Sequence, residues 1–387
     1  MRVAVTILVF CVAALLALGM VMLYSSGVGQ GGARYLTAQL TWCVVGVASC
    51  ITVACLDYRL LKKFVWPIFI LGIVLLVLVF VKPVGIHRNG ATRWLGYHKT
   101  SLFQPSEFSK LALIIAIAWY AERFQRRMPT FKRGILLPGL LAAPIIGLIF
   151  IEPDVGNALL LSMVSAILLL IAGIRWRFFL PPALIGVAAV TVFLCHNQMR
   201  SERIYSWLHL EETKLDKGMQ AYQAMLALGS GGWTGLGLGN GRQKLGFVPF
   251  HYTDFILSVI GEELGLTATL LVIAAFIAIV ICGIYIATRS RDTFGMLLGC
   301  GIVFLIGLQA FINVGVVTSV LPNKGLPLPF ISQGGSNLVV LLTSVGLLLS
   351  IARLAATTES AVGKMGDDEE QGSIFGSRRN PFRPSPP

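Results

Sequence analysis

The chain has 387 residues, of which 56% are hydrophobic and only 13% charged, and its mean hydropathy is +0.79. A soluble domain carries about 25% charged residues, so an ordinary cytosolic enzyme, a disordered chain and a collagen-like fibre are excluded. The net charge of +13 does not point to nucleic acid, because Lys and Arg are scattered between hydrophobic runs. It reads as membrane topology and attraction to anionic lipid.

One helical crossing of a bilayer takes about 20 apolar residues. Runs of that size lie near 5–26, 37–55, 65–82, 105–121, 135–152, 156–173, 178–196, 254–287, 294–320 and 337–356. They predict an all-α integral membrane protein, a polytopic bundle of about ten transmembrane helices within residues 1–356. The first run follows a single Arg and lacks a convincing cleavage site, so it reads as a span. Short connections at 56–64, 122–134, 174–177 and 288–293 hold the clustered Arg and Lys, and the positive-inside rule places them and both termini in the cytoplasm. The opposite side receives 83–104, a large extracytoplasmic loop at 197–253 between spans seven and eight, and 321–336. Residues 357–387, with Asp367–Glu370, Arg378, Arg379 and a Pro-rich end, read as a disordered cytoplasmic tail. The seven cysteines form no CxxC pair and read as small apolar fillers.

The three outer segments carry cations on the side that the rule disfavours, among them Arg88, Arg93, Lys99, Arg200, Arg242, Lys244 and Lys324. Either long loops translocate whatever their charge, or these cations meet a translocated anion.

Thr253-Asp254-Phe255-Ile256 runs into Gly261-Glu262-Glu263-Leu264-Gly265. Asp254 could simply cap the eighth span. A cap does not account for Glu262 and Glu263, about 12 Å further along the helix, since carboxylates inside a span by default mark a function or a buried partner. Asp254, at the water-facing end, is the one placed to meet an outside substrate. Gln104-Pro105-Ser106-Glu107 opens the fourth span, and Lys110 can pair with Glu107 one turn on. Arg93-Trp94 before it is an interfacial anchor or part of a site. Glu152-Pro153-Asp154 joins spans five and six, where its carboxylates could bind a cation or an Arg. The stretch Gly229–Gly241 lacks the cytosolic strand–turn–helix of a dinucleotide site and reads as a re-entrant or close-packed loop. Residues 321–336 hold three prolines before Ser332 and Ser336, so at membrane depth they must line a cavity or be buried in protein.

These motifs resemble the SEDS family (shape, elongation, division and sporulation) of multi-span cell-wall glycan polymerases, over roughly residues 10–356. The likeness rests on NGATRW at 89–94, QPSEFSKLAL at 104–113, EPDVG at 152–156, GSGGWTGLGLGNGRQK at 229–244, TDFILSVIGEELG at 253–265 and LPNKGLPLPFISQGGS at 321–336. Within the fourth and sixth of these, GLGLGNGRQK and LPNKGLPLPFIS look more like the division member than the elongation member. The resemblance implies a catalytic base at Asp254 and substrate-binding roles at Arg93, Trp94, Gln104, Glu107, Lys110, Glu152, Asp154, Arg242, Lys244, Lys324, Ser332 and Ser336. Two departures stand out: Phe250-His251-Tyr252 precedes the aspartate where the family commonly has Glu, a variable residue and His, and Gln333 replaces a usual tyrosine.

The implied substrate is lipid II, polymerised with inversion and release of undecaprenyl pyrophosphate. Implied partners are a class B penicillin-binding protein and other divisome proteins, in the bacterial inner (cytoplasmic) membrane at the division septum. No cofactor is named with certainty, and a divalent cation (Mg or Mn) stays open. The competing classes are a lipid II flippase, an elongation-type polymerase and a divisome scaffold.

Overall fold

The computed structural model describes residues 1–26, 32–82, 84–88, 91–97, 100–196, 198–216, 218–242, 252–323 and 325–376. Its helices in chain order are α1 (Arg2–Ser26), α2 (Gly32–Cys55), α3 (Leu61–Leu78), α4 (Pro105–Arg123), α5 (Leu137–Ile151), α6 (Val155–Ile171), α7 (Trp176–His196), α8 (Gln198–Leu208), α9 (Met219–Ser230), α10 (Ile256–Thr288), α11 (Thr293–Val317) and α12 (Gly335–Gly376). Every one of the ten expected positions holds a helix. Eight are long and apolar enough to cross a membrane: those at α1, α2, α3, α5, α7, α10, α11 and α12. The other two differ for different reasons. Helix α6 is apolar but has only 17 residues, and α4 carries Glu107, Lys110, Glu122 and Arg123.

Charge in α4 does not push it to the surface. Nearly the whole of α4 is buried, Glu107 and Lys110 included. It packs with α11 at the centre of the bundle, and 72% of the spanning window is enclosed in both α11 and α12, against none in α7. Helices α2 and α12 lie close enough that a Cβ at Gly346 would strike the backbone of Cys50. The lipid-facing sides are the exposed apolar residues, such as Leu184, Ile185 and Val192 on α7.

Connections segregate by end as an up-and-down bundle requires. At one end, Lys62 Nζ pairs with Glu122 and Asp292, both at 2.7 Å, and the Tyr58 hydroxyl donates to Asp292 at 2.6 Å. Those contacts join the connections before α3, after α4 and before α11, all expected on the cytoplasmic side. The opposite end gathers the segments before α4, between α5 and α6, before α10 and before α12.

Three features depart from the sequence reading. Within 83–104 the chain forms a three-stranded antiparallel sheet, β1 (Gly85–Arg88), β2 (Ala91–Tyr97) and β3 (Thr100–Phe103), in the order β1-β2-β3. The fold is therefore helical with one small outer sheet. Helix α12 runs on to Gly376, so part of the segment expected to be disordered is helical; no proline interrupts it before Pro381. Residues 377–387 lie outside the described residues. Helix α10 is broken at Gly265, whose φ of 80° and ψ of −178° interrupt the helical ladder.

Candidate functional site

Asp254 stands in the turn before α10. The capping role does not hold: Phe255 occupies the N-cap position and no side chain caps the helix. The turn is instead anchored through its backbone. Asn313 Nδ2 of α11 donates to the Asp254 carbonyl at 2.8 Å, the Ser332 hydroxyl donates to the Thr253 carbonyl at 2.6 Å, and the Gln333 N–H donates to the Tyr252 carbonyl at 3.0 Å. Asn313 also donates to Leu326 O at 2.7 Å. One amide thus fixes the Asp254 turn and the 325–333 segment to the same point on α11.

The side chain is left for chemistry. Among the described residues nothing donates a hydrogen bond to its carboxylate, and a Cβ at Gly325 would collide with Asp254 Oδ2. Glycine at 325 therefore leaves the space that the carboxylate occupies. Gly325→Ala should displace Asp254 and lower turnover at least tenfold without moving the protein from the membrane, read as product formed per folded enzyme. Unchanged turnover would mean that the carboxylate has room to retreat.

Arg93 on β2 reaches the turn between α5 and α6. Its Nε donates to Glu152 O at 3.2 Å and one terminal nitrogen donates to Pro153 O at 2.6 Å, while the other lies 4.0 Å from Asp154 Oδ1. Asp154 caps α6 by accepting from the Asn157 N–H at 3.3 Å, and its other oxygen accepts from Asn157 Nδ2 at 2.9 Å. Gln104 Nε2 approaches the same oxygen at 3.5 Å.

Both ends of this cluster shift in pKa. Crowding by protein raises Asp254 from its ordinary value near 3.8 to about 6, even though a part of its surface stays open; the charge of Asp154 adds to the rise and Arg93 opposes it. Burial, again helped by Asp154 and opposed by Arg93, lifts Glu152 to about 8, so it is mostly protonated at neutral pH. Both Glu152 oxygens are buried with no hydrogen-bond partner among the described residues.

Other expected site residues are placed differently. Glu107 and Lys110 lie beneath the site: the pair is 2.9 Å apart with side chains 2% and 1% exposed, and Lys110 Nζ also donates to Asn157 at 3.2 Å and Gln309 at 3.5 Å. An ammonium so enclosed ties α4 to α6 and α11. Trp94 follows Arg93 on β2, pairs with Ile86 of β1 across a break in register that leaves Arg93 without a partner residue, and is half-buried. Ser332 and Ser336 are engaged internally: Ser332 Oγ also accepts from the Leu328 N–H at 2.7 Å, and Ser336 Oγ accepts from the Gln104 N–H at 3.0 Å. Arg242 gives its backbone N–H to Glu262 while its side chain is exposed. Lys244 and Lys324 lie outside the described residues, as does His251. Asn157, Gln309 and Asn313 were not singled out by sequence, although amides inside apolar spans signal a buried hydrogen-bonded network.

Among the described residues, no group of three or more His, Cys, Asp or Glu is gathered to hold a metal ion. Where a cation would sit beside Asp154, the Arg93 guanidinium already stands. Among the described residues, the side chains gathered here do not form a metal-binding set. An apolar cavity of about 210 Å³ between α2, α3, α4 and α12 shares no residue with the site.

The arrangement defines a class: a polytopic helical membrane protein with a desolvated carboxylate and a guanidinium at one end. Residues 5–357 match the FtsW/RodA/SpoVE family, described as "Cell cycle protein", and the chain belongs to that family. It is 38% identical over 345 residues to the "Probable peptidoglycan glycosyltransferase FtsW" of Geobacter metallireducens, covering 88% of this chain and 92% of that one. It is 33% identical over 360 residues to "Stage V sporulation protein E" of Bacillus subtilis, covering 90% and 96%. Among solved structures it resembles a chain of "Structural coordination of polymerization and crosslinking by a peptidoglycan synthase complex", with TM-score 0.74, 28% identity and 90% and 97% coverage. It also resembles the rod shape determining protein RodA of Thermus thermophilus, with TM-score 0.67, 27% identity and 89% and 95% coverage.

Proposed function

We propose that this protein is a peptidoglycan glycosyltransferase that polymerises lipid II at the outer face of the bacterial inner membrane during division. The observation that carries the mechanism is the Asp254 carboxylate, set against Gly325 with no described donor and brought to about 6 by its surroundings. A group with that pKa is mostly ionised at neutral pH yet a better proton acceptor than an ordinary aspartate.

In the step, the GlcNAc 4-hydroxyl of one molecule gives its proton to Asp254 as its oxygen bonds to the donor's anomeric carbon. The bond from that carbon to the pyrophosphate breaks, and its electron pair leaves with undecaprenyl pyrophosphate. An α-linked donor and a β-linked product need one inversion, so no second carboxylate nucleophile is required. Arg93, half-buried and held by two carbonyls, is a described cation whose charge acts on Asp254, and it serves charge growing on the leaving group. A class B penicillin-binding protein would crosslink the strand. The relatives' names and the peptidoglycan synthase complex support this partnership and the division role.

The pH dependence of polymerisation tests the base. The rate constant kcat/KM should fall about tenfold per unit below pH 6, because protonation removes the acceptor. Arg93→Gln removes a cation that favours the carboxylate, so it should move this limb to higher pH. Asp154→Asn removes a repelling charge and should move it lower. A limb indifferent to both variants would take Asp254 out of the titration.

A further inference from the structure

The break in α10 falls inside a span, where unpaired peptide groups are costly. It is closed by the glycine-rich segment that follows α9. Leu236 and Gly237 donate their N–H groups to the carbonyls of Glu262 and Glu263, both at 3.0 Å. On the other side of the break, Leu266 donates to Gly232 O at 2.9 Å and Thr267 to Trp233 O at 3.3 Å. The loop thus substitutes for the missing helical bonds above and below Gly265. Glycine is required at both contact points: Gly235 has φ 81° and Gly265 φ 80°, and a Cβ on either would meet the other segment's backbone.

The two carboxylates of the same turn hold the far end of the loop. Glu263 Oε2 accepts from the Gly239 N–H at 3.0 Å and from the Ser25 hydroxyl of α1 at 2.5 Å. Glu262 Oε1 accepts from the Arg242 N–H at 2.7 Å. A Cβ at Gly241 would come within 2.9 Å of both side chains, so the loop lies directly on them. Because of the break, Ile256–Leu264 is a short helix separate from the long lower part of α10. Asp254 stands at its outer end and Glu262 and Glu263 at its inner end. Arg242, the last residue of the held loop, is only ten positions before Tyr252. Both directions along the chain from Asp254 therefore return to the same clamp.

We infer that Glu262 and Glu263 are positioning residues for Asp254, acting through the Gly231–Arg242 loop that closes the break in α10. Their carboxylates are buried and accept hydrogen bonds from the loop and from α1, which is the place of groups that hold the turn. The loop fixes where the short helix ends, and the short helix fixes where Asp254 begins. This inference rests on Asp254 being the base.

The test measures polymerisation by the full-length protein in detergent with labelled lipid II, with a melting curve on each sample. Misplacing a reacting group by about 1 Å can cost about 10²-fold, so Glu263→Ala should lower kcat about 10–100-fold with KM changed less than about threefold. Its acid limb should move toward lower pH as Asp254 gains solvent. Glu263→Gln keeps an acceptor oxygen and should recover kcat to within about threefold of wild type. Ser25→Ala, which removes one bond and leaves the helix intact, should show the same signature at smaller size. Gly235→Ala displaces the loop without touching a carboxylate, and combined with Glu263→Ala it should be no worse than the more damaging single variant. Wild-type kcat and an unmoved acid limb in Glu263→Ala and Ser25→Ala would overturn the inference. So would equal losses in melting temperature and in kcat without rescue by Gln, which would mark a purely structural role. Activity in Asp254→Asn is the separate outcome that overturns the base assignment itself.

Discussion

Asp254→Asn should abolish most polymerisation while leaving the protein at least as stable as wild type. General-base catalysis typically contributes about 10²–10⁴-fold, and Asn keeps the shape of the side chain without accepting the proton. Stability should move the other way. The folded state raises the Asp254 pKa to about 6, so it binds that proton more tightly than the unfolded chain does. Its contribution to stability is present below the ordinary value near 3.8 and is lost as pH rises through about 6. At pH 7 the ionised carboxylate is therefore a burden on the fold, and a neutral amide relieves it. No cap is lost, because Asp254 caps nothing. The expected sample melts at or above the wild-type temperature and turns over at least a hundredfold more slowly. Turnover within threefold of wild type in a well-folded sample would remove Asp254 from the mechanism.

Lys110→Met should produce the opposite combination, a large loss of stability with no direct part in the chemistry. The ammonium is enclosed by Glu107, Asn157 and Gln309 at the centre of the bundle. Removing one member of a buried ion pair leaves the other charge uncompensated, at a cost of about 3–5 kcal/mol. Replacing both partners removes the orphan, so Glu107→Gln with Lys110→Met should recover much of that loss. Melting curves of the single and double variants in one detergent check this. If Lys110→Met melts with wild type, Glu107 already has another way to lose its charge.

Much of the architecture was legible because lipid imposes a simple code. Each expected span coincides with a helix, and connections assigned to one side of the membrane meet at one end of the bundle. The code is silent on charge hidden inside the bundle, and α4 shows why: it carries four charged residues yet is among the most buried helices in the protein. The outer sheet was missed although Asn89-Gly90 between two short runs is a hairpin signal. Asp254 was legible as a carboxylate at the end of a span. Its anchoring was not, since Asn313 and Gly325 are distant in sequence and meet it only in the folded chain. Glu262 and Glu263 were noticed as costly charges, but their partners include peptide N–H groups, which no residue pattern announces.

The central claim is that the chain makes glycosidic bonds, and reconstitution tests it directly. The purified protein is placed in vesicles with fluorescent lipid II, and both glycan polymer and transbilayer movement of the label are followed. The account predicts a ladder of polymer from wild type, and none above background from Asp254→Asn in the same lipid. Lipid II crossing the bilayer with no polymer from wild type would contradict it and assign the site to a transporter.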